Sequence, residues 1–113
     1  MRVLTFLPLL LGISFCQPAL CSSVLPGAYV LAFGNYGDGS VWITLDRAHD
    51  QPGCPGPYIE LPPNGPANKS VLASAALALA TGASVFVQVD GCKDRAGTFT
   101  GGRNGAAFGV NKP

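Results

Sequence analysis

Apolar and polar residues alternate along several segments of this chain, and this alternation predicts β-strands. In residues 83–90 (ASVFVQVD) every second residue from Val85 to Val89 is a valine. Successive side chains of a strand point to opposite faces. The valines therefore form one face, and Phe86 lies on the other. We predict a strand here with one buried face.

Two further strands form a predicted hairpin. Residues 28–34 (AYVLAFG) are rich in aromatic and branched side chains, and residues 40–45 (SVWITL) alternate as the valine segment does. Asp38-Gly39, between them, is typical of a tight turn. The same two-residue period places Trp42 on the face opposite the branched side chains of its own strand.

Three other elements complete the predicted chain. Residues 58–61 (YIEL) predict a short strand that ends at two prolines, and a weak final strand is expected around residues 106–110. Between these strands we predict a helix, capped by Asn68 or Ser70 and running to about Ala80. Thr81-Gly82 then supplies its C-terminal stop.

The predicted helix has one apolar face and no charge on the opposite face. At about 100° per residue, the apolar face contains Val71, Leu72, Ala75, Ala78 and Leu79. The outer face of a surface helix is usually charged. We therefore expect the uncharged face to be covered by the domain or to pack against another copy or a partner protein. The candidate interface residues are Ala73, Ala76, Leu77 and Ala80.

The N-terminus has the pattern of an export signal. A short basic start precedes an uncharged apolar run over residues 3–15, shorter than the roughly 20 residues of a membrane-spanning helix. Small side chains predict cleavage after Cys21, with cleavage after Cys16 as the alternative. Residues 1–21 are thus the expected signal peptide and residues 22–113 a single secreted domain. We expect a secreted or periplasmic protein with no membrane span after cleavage.

Removal of the signal peptide leaves two cysteines, Cys54 and Cys92. A pair in an oxidising compartment predicts one disulfide. It would close a loop of about 38 residues and contribute about 4 kcal/mol in the chain-entropy model. The sole histidine, His49, is not spaced with the cysteines in any zinc pattern, so we expect no metal site built on them.

The composition and charge of the chain limit the kinds of partner that it can bind. The chain has 113 residues, of which 12% are charged, and this length fits one domain. Once Arg2 is removed with the signal peptide, six basic residues balance six acidic ones. A neutral chain lacks the basic patch that a phosphate backbone requires. We therefore expect no nucleic-acid partner, and no motif indicates a cofactor.

One loop carries residues with catalytic potential. Asp46, His49 and Asp50 lie close together in sequence. They could form part of a metal site or an acid/base group. The alternative is a solvated loop without chemistry, which we favour because no third metal ligand stands at a recognisable spacing.

Aromatic and polar residues near the hairpin are candidates for ligand binding. Trp42 and Phe86 lie opposite the branched faces of their strands, where exposed rings stack on sugars or anchor a partner. The alternative, which we favour, is that they form a second core layer. Asn35, Tyr36 and Asp38 at the hairpin tip are the next candidates.

The order of these elements is similar to that of known proteins. Residues 39–46 (GSVWITLD), Cys54 with Tyr58, residues 72–79, and residues 81–92 with their Thr-Gly and Gly-Cys pairs carry the likeness. The chain resembles small secreted bacterial proteins with one disulfide and no assigned function. More distantly, it is similar to B subunits of AB5 toxins, subtilase cytotoxin in particular.

The toxin resemblance implies a fold and a partner class. Those B subunits are OB-like barrels that form pentamers and bind cell-surface glycans. None of their glycan-contacting residues can be matched to a position of this chain. The glycine-rich segment after residue 93 departs from both groups.

We therefore predict a β-rich α+β fold: a small, OB-like, partly open barrel of about five strands with one helix and one disulfide. As function we predict a secreted, non-enzymatic binding module, with a glycan as candidate ligand and self-association through the helix. The alternatives are a small secreted hydrolase or metal-dependent enzyme using the Asp46/His49/Asp50 loop, and an inhibitor-type protein.

Overall fold

The computed structural model describes residues 23–98 and 107–112. The predicted signal peptide, residues 1–21, lies outside the described residues. Within them the chain forms eight strands and one helix. The strands are β1 (Ser23–Ala28), β2 (Val30–Asn35), β3 (Val41–His49), β4 (Gly56–Leu61), β5 (Val85–Val89), β6 (Gly91–Lys93), β7 (Ala96–Thr98) and β8 (Ala107–Val110), and the helix is α1 (Asn68–Thr81).

The strands form two sheets. One has three strands in the order β1-β5-β8, and the other has five in the order β2-β3-β4-β7-β6. Neighbouring strands are antiparallel except β4 and β7, which are parallel and pair Ile59 with Gly97. The predicted hairpin is β2 and β3, whose register pairs Asn35 with Val41 and Phe33 with Ile43.

The chain passes from one sheet to the other at two corners. At the first, between β1 and β2, the Tyr29 amide donates to Asp46 Oδ1 at 2.8 Å, and the Asp46 amide donates to the Tyr29 carbonyl at 2.9 Å. At the second, between β5 and β6, the Asp90 amide donates to the Thr98 carbonyl at 3.0 Å. Strands that bend in this way join two sheets packed across one core.

The core lies between the two sheets and beneath α1. Its centre on the larger sheet is the inner face of β3, where Val41, Ile43 and Leu45 are buried. The smaller sheet contributes the valines of β5, as their alternation predicts. The helix packs on β2, β8 and β3. The helix residues buried on this side are Asn68, Val71, Ala75 and Ala78.

The two ends of α1 differ in how well the sequence predicts them. The Gly82 stop is confirmed: its φ is 74°, in the left-handed region, and its amide donates to the Ala78 carbonyl at 2.9 Å. The predicted N-terminal caps are wrong, because Ala67 occupies the cap position and makes no side-chain cap bond. Asn68 instead turns inward and donates from Nδ2 to the Pro62 carbonyl at 2.8 Å. Ser70 donates to the Ala67 carbonyl.

One residue of the predicted apolar face does not belong to the core. Leu79 is exposed, whereas Leu72 packs against the core at its margin. The buried stripe of α1 is therefore narrower than the helical period predicts. Across residues 23–98 and 107–112, no helix has the length and apolar character needed to cross a membrane.

The predicted β-rich class with one helix and one disulfide is confirmed. The strands number eight instead of about five, and the two sheets do not close into a barrel. The two corners account for β1 and β6, since each corner divides a bent strand between the two sheets, and β7 is a further short strand of the larger sheet. We did not predict β1, β6 or β7; β6 and β7 have only three residues each.

The disulfide between Cys54 and Cys92 is confirmed. Their Cα atoms are 5.9 Å apart. The bond joins the loop that follows β3 to β6, at the far edge of the larger sheet. It therefore holds the short β6–β7 hairpin against the rest of the domain.

The Asp46 carboxylate stabilises the first corner, and this contribution depends on pH. The Arg47 side chain donates to it, as does the Tyr29 amide, and together these bonds hold the pKa of Asp46 below its ordinary value. The contribution is present above the unfolded pKa of about 3.9 and is lost as the pH falls through the lower folded pKa. Asp46→Asn should therefore lose less stability than the native protein between about pH 7 and pH 2 in urea denaturation.

The matched control for this prediction is Asp50→Asn, which alters an exposed carboxylate outside the corner. It should follow the native pH profile. Parallel loss of stability in the native protein and Asp46→Asn would show that the carboxylate does not support the corner.

A candidate ligand-binding groove

A groove lies on the outer face of the larger sheet. Its volume is about 470 Å³. Three aromatic residues, Tyr36, Trp42 and Tyr58, line it together with Thr44 on the floor. Charged residues also line it: Glu60, Asp94 and Arg95. The groove therefore combines apolar rings with hydrogen-bonding groups, as small-molecule sites do.

The register of β3 and β4 explains why these side chains meet. Ile43 pairs with Ile59, and both are buried in the core. Because side chains alternate between the two faces, the neighbouring pairs must point outward. These pairs are Trp42 with Glu60 and Thr44 with Tyr58.

Gly34 makes room for the Trp42 ring. It is the β2 residue paired with Trp42. A Cβ atom at Gly34 would lie 2.7 Å from Cζ2 and 2.9 Å from Cε2 of the indole, closer than real Cβ contacts. The indole therefore lies across β2 at a place where only glycine leaves space for it.

The hairpin turn holds Tyr36 at the rim of the groove. The Tyr36 amide donates to the Ser40 carbonyl at 2.8 Å. Asp38 Oδ1 accepts from the Ser40 amide at 2.9 Å and from its hydroxyl at 2.7 Å, and these bonds lower the pKa of Asp38. Tyr36 is 52% exposed and Tyr58 53%. Both residues are thus accessible to a ligand.

An ion pair fixes the other side of the groove. Lys93 Nζ lies 2.7 Å from Glu60 Oε2, and this bond raises the pKa of Lys93. The pair connects β6 to β4 across β7. Asp94 and Arg95 follow in the turn between β6 and β7. The groove wall is therefore tied to its floor.

Two of the five ligand-binding residues predicted from sequence line this groove: Tyr36 and Trp42. Asn35 and Asp38 lie in the same hairpin but do not line the groove. Phe86 lies on β5 in the other sheet, half-buried and paired with Gly109. Trp42 and Phe86, which the sequence pattern predicted as equivalent candidates, therefore lie on different sheets.

Tyrosine and charged residues that line the groove were not predicted as site residues: Tyr58, Glu60, Asp94 and Arg95. Tyr58 and Glu60 lie in a strand that was predicted, and their alternation with Ile59 and Leu61 could have placed them outward beside Trp42. Asp94 and Arg95 carry no such signal. Their position depends on pairing between β7 and β4, which are distant in sequence.

The structure does not assemble Asp46, His49 and Asp50 into one site. His49 is 0% exposed. Its Nε2 lies 2.9 Å from the Tyr58 carbonyl, which only accepts, and its Nδ1 accepts from the Gln51 amide at 3.3 Å. Asp46 binds the Tyr29 amide instead, and Asp50 is exposed. Among the described residues, no group of three or more His, Cys, Asp or Glu side chains is placed to hold a metal.

The uncharged face of α1 points outward. The residues Ala73, Ala76, Leu77 and Ala80 are all exposed, with Leu77 at 54%. A second groove, of about 400 Å³, lies at the C-terminal end of the helix between Leu77 and Tyr29. The single chain therefore leaves the predicted interface face uncovered.

Comparisons with known proteins identify no relative. No protein-family model, no curated protein sequence and no solved structure matches this chain.

The Gly34 position should tolerate no side chain. Gly34→Ala places Cβ against the indole, so either the ring or β2 must move, at a cost of about 1–3 kcal/mol. Because Trp42 is the only tryptophan, its fluorescence emission maximum reports the displacement directly. The matched control is Gly37→Ala, since a Cβ atom there meets nothing within 4 Å. An unchanged emission maximum and stability in Gly34→Ala would contradict this packing.

His49 should act on stability through its two hydrogen bonds to the backbone. His49→Leu removes the partners of the Tyr58 carbonyl and the Gln51 amide, and leaving such groups buried costs about 2 kcal/mol or more. The free energy of unfolding in urea measures this loss. Asp50→Asn, on the exposed neighbour, should change it by less than about 0.5 kcal/mol. Equal stability of His49→Leu and the native protein would show that His49 is not structural.

Proposed function

We propose that this protein is a secreted, non-enzymatic binding module that holds a carbohydrate in the groove on the larger sheet. The observation that carries the proposal is the meeting of three aromatic rings and three charged side chains around one cavity. A sugar presents an apolar face of C–H groups and a rim of hydroxyls. Aromatic rings match the apolar face, and carboxylate, guanidinium and hydroxyl groups match the rim.

The pre-formed geometry supports binding by this groove. Trp42 is packed on Gly34, Tyr36 is held by the hairpin turn, and Glu60 is tied to Lys93. A site that is ordered before the ligand arrives pays less conformational entropy on binding. The resemblance to glycan-binding toxin subunits, drawn from the sequence, favours the same class of ligand.

Secretion is part of the proposal. The disulfide between Cys54 and Cys92 supports it, because disulfides persist in oxidising compartments. The export pattern over residues 1–21 supports it independently.

The enzymatic alternative has no specific support among the described residues. His49, the only histidine, is buried, and both ring nitrogens are engaged with the backbone. A general base must reach the proton that it abstracts. The inhibitor-type alternative likewise rests on size and the disulfide alone.

We further propose that the protein associates with itself through the outward face of α1. This face carries no charge over residues 70–81, and Leu77 is more than half exposed. Small side chains around Leu77 would allow the helices of two copies to approach closely. Association would place several grooves on one assembly and increase its avidity for a multivalent glycan.

The groove proposal predicts which aromatic substitutions abolish binding. On a glycan array, the native protein should bind a subset of glycans. Trp42→Ala and Tyr58→Ala should each lower affinity about tenfold or more, since they remove large contact surfaces. Phe86→Ala is the matched control, because Phe86 lies on the other sheet, and it should bind as the native protein does. Absence of glycan binding by the native protein, or equal loss in Phe86→Ala, would overturn the proposal.

The association proposal predicts a change in native mass. Leu77→Glu places a charge in the interface and should shift the assembly to a monomer in size exclusion with light scattering. Leu79→Glu is the matched control, since this exposed leucine lies about 200° further round the same helix. A native protein that is already monomeric, or an assembly that survives Leu77→Glu, would contradict the proposal.

A further inference from the structure

A two-residue turn at the wall of the groove carries two charged side chains. Lys93 of β6 pairs with Ala96 of β7, and the turn between them consists of Asp94 and Arg95. Both of these residues line the groove. They are the charged residues that the sequence alone gave no reason to single out.

Asp94 holds a backbone conformation that glycine would adopt more easily. Its φ is 58°, in the left-handed region. Aspartate tolerates this region better than most residues, but glycine occupies it without steric cost. Its side chain is 82% exposed, and its ion-pair partner is Lys93 at 3.8 Å. Exposed pairs of this kind contribute little to stability. The two-residue hairpin turn requires this positive φ, which aspartate tolerates. The turn does not require a carboxylate, however, so the position of this exposed charge on the groove wall points to a function there.

Arg95 complements Asp94 as a donor. It is exposed, and it forms no ion pair with any of the described residues. Glu60, by contrast, is already engaged by Lys93. The turn therefore places an exposed acceptor, which lies 3.8 Å from Lys93, beside an exposed donor on the groove wall.

The turn is also held in position. The residue before Lys93 is Cys92, which is bonded to Cys54. Lys93 itself is bonded to Glu60 on the groove floor. Side chains that determine ligand specificity need this kind of support, because a mobile side chain does not keep the geometry that a specific hydrogen bond requires.

We infer that Asp94 and Arg95 determine the specificity of the groove, and that its ligand is a sugar whose neighbouring hydroxyls bind this pair. The inference rests on the proposed function and deepens it. The carboxylate accepts hydrogen bonds from two adjacent hydroxyls, and the guanidinium donates to their oxygens. The sugar ring meanwhile lies against the aromatic residues. A sugar that lacks one of the two hydroxyls would leave a charged group without its partner.

The test uses calorimetric titration with the methyl glycosides of glucose, galactose, mannose and N-acetylglucosamine, and with their monodeoxy analogues. Asp94→Asn and Arg95→Gln should each weaken the bound glycoside about tenfold or more, because each removes a charged hydrogen-bonding group. The same substitutions should cost much less with the deoxy analogue that lacks the hydroxyl in question. Asp50→Asn, an exposed carboxylate outside the groove lining, is the control and should bind as the native protein does.

Stability separates a role in specificity from a role in folding. Asp94→Gly removes the side chain and suits the left-handed backbone, so its Tm should equal or exceed the native value by a few degrees. Its affinity should fall as that of Asp94→Asn does. A lowered Tm with native affinity would show that Asp94 serves the turn alone and would overturn the inference.

The outcomes distinguish the two proposals. If the native protein binds no glycan on the array and none of these glycosides, the proposed function and this inference fall together. If it binds one of them and the variants of Asp94 and Arg95 bind equally well, only the inference falls. The inference would also be overturned if the substitutions weakened the binding of every deoxy analogue by the same factor. Asp94 and Arg95 would then contact no particular hydroxyl of the sugar.

Discussion

The pairing of β3 with β4 determines both the core and the groove. Ile43 and Ile59 are paired and buried on the inner face, and this fixes the register of the two strands. A shift of one residue would move every side chain of a strand to the opposite face of the sheet. Trp42, Tyr58 and Glu60 point outward as a consequence. The same register therefore places the core residues on the inner face and the groove residues on the outer face. Burial of the core residues stabilises this register and, with it, the groove. A ligand would meet a surface that the fold has already ordered.

The remaining contacts hold the ends of this paired unit. At one end the chain turns between sheets at Tyr29, where Asp46 binds the turning backbone. At the other end the disulfide and the bond from Lys93 to Glu60 hold β6 and its turn against β4. Beneath Tyr58, the buried His49 ring binds the Tyr58 carbonyl. Each of these contacts is too small to form the fold alone, but together they reduce the motion of the groove walls.

Much of the fold follows from local pattern, and the rest depends on contacts distant in sequence. Alternation identifies β3 and β5, and Gly82 ends the helix because its backbone is left-handed. Asn68 has the residue type of a cap, yet its amide is engaged by carbonyls that only the folded chain brings near. The same limit applies to the groove. Tyr36 and Trp42 are visible in the hairpin, whereas Asp94 and Arg95 reach it through three-residue strands that tertiary pairing alone stabilises.

The most direct test of the account is to map ligand binding on the protein by NMR. Trp42 is the only tryptophan, so the spectrum contains one indole N–H signal, and it comes from the lining of the groove. Titration with a glycan that binds on an array should shift this signal together with the amides of Tyr36, Tyr58 and Arg95. The amides around Phe86 on the other sheet should stay in place. Shifts confined to the smaller sheet or to α1, with the indole signal unmoved, would show that the groove is not the binding site.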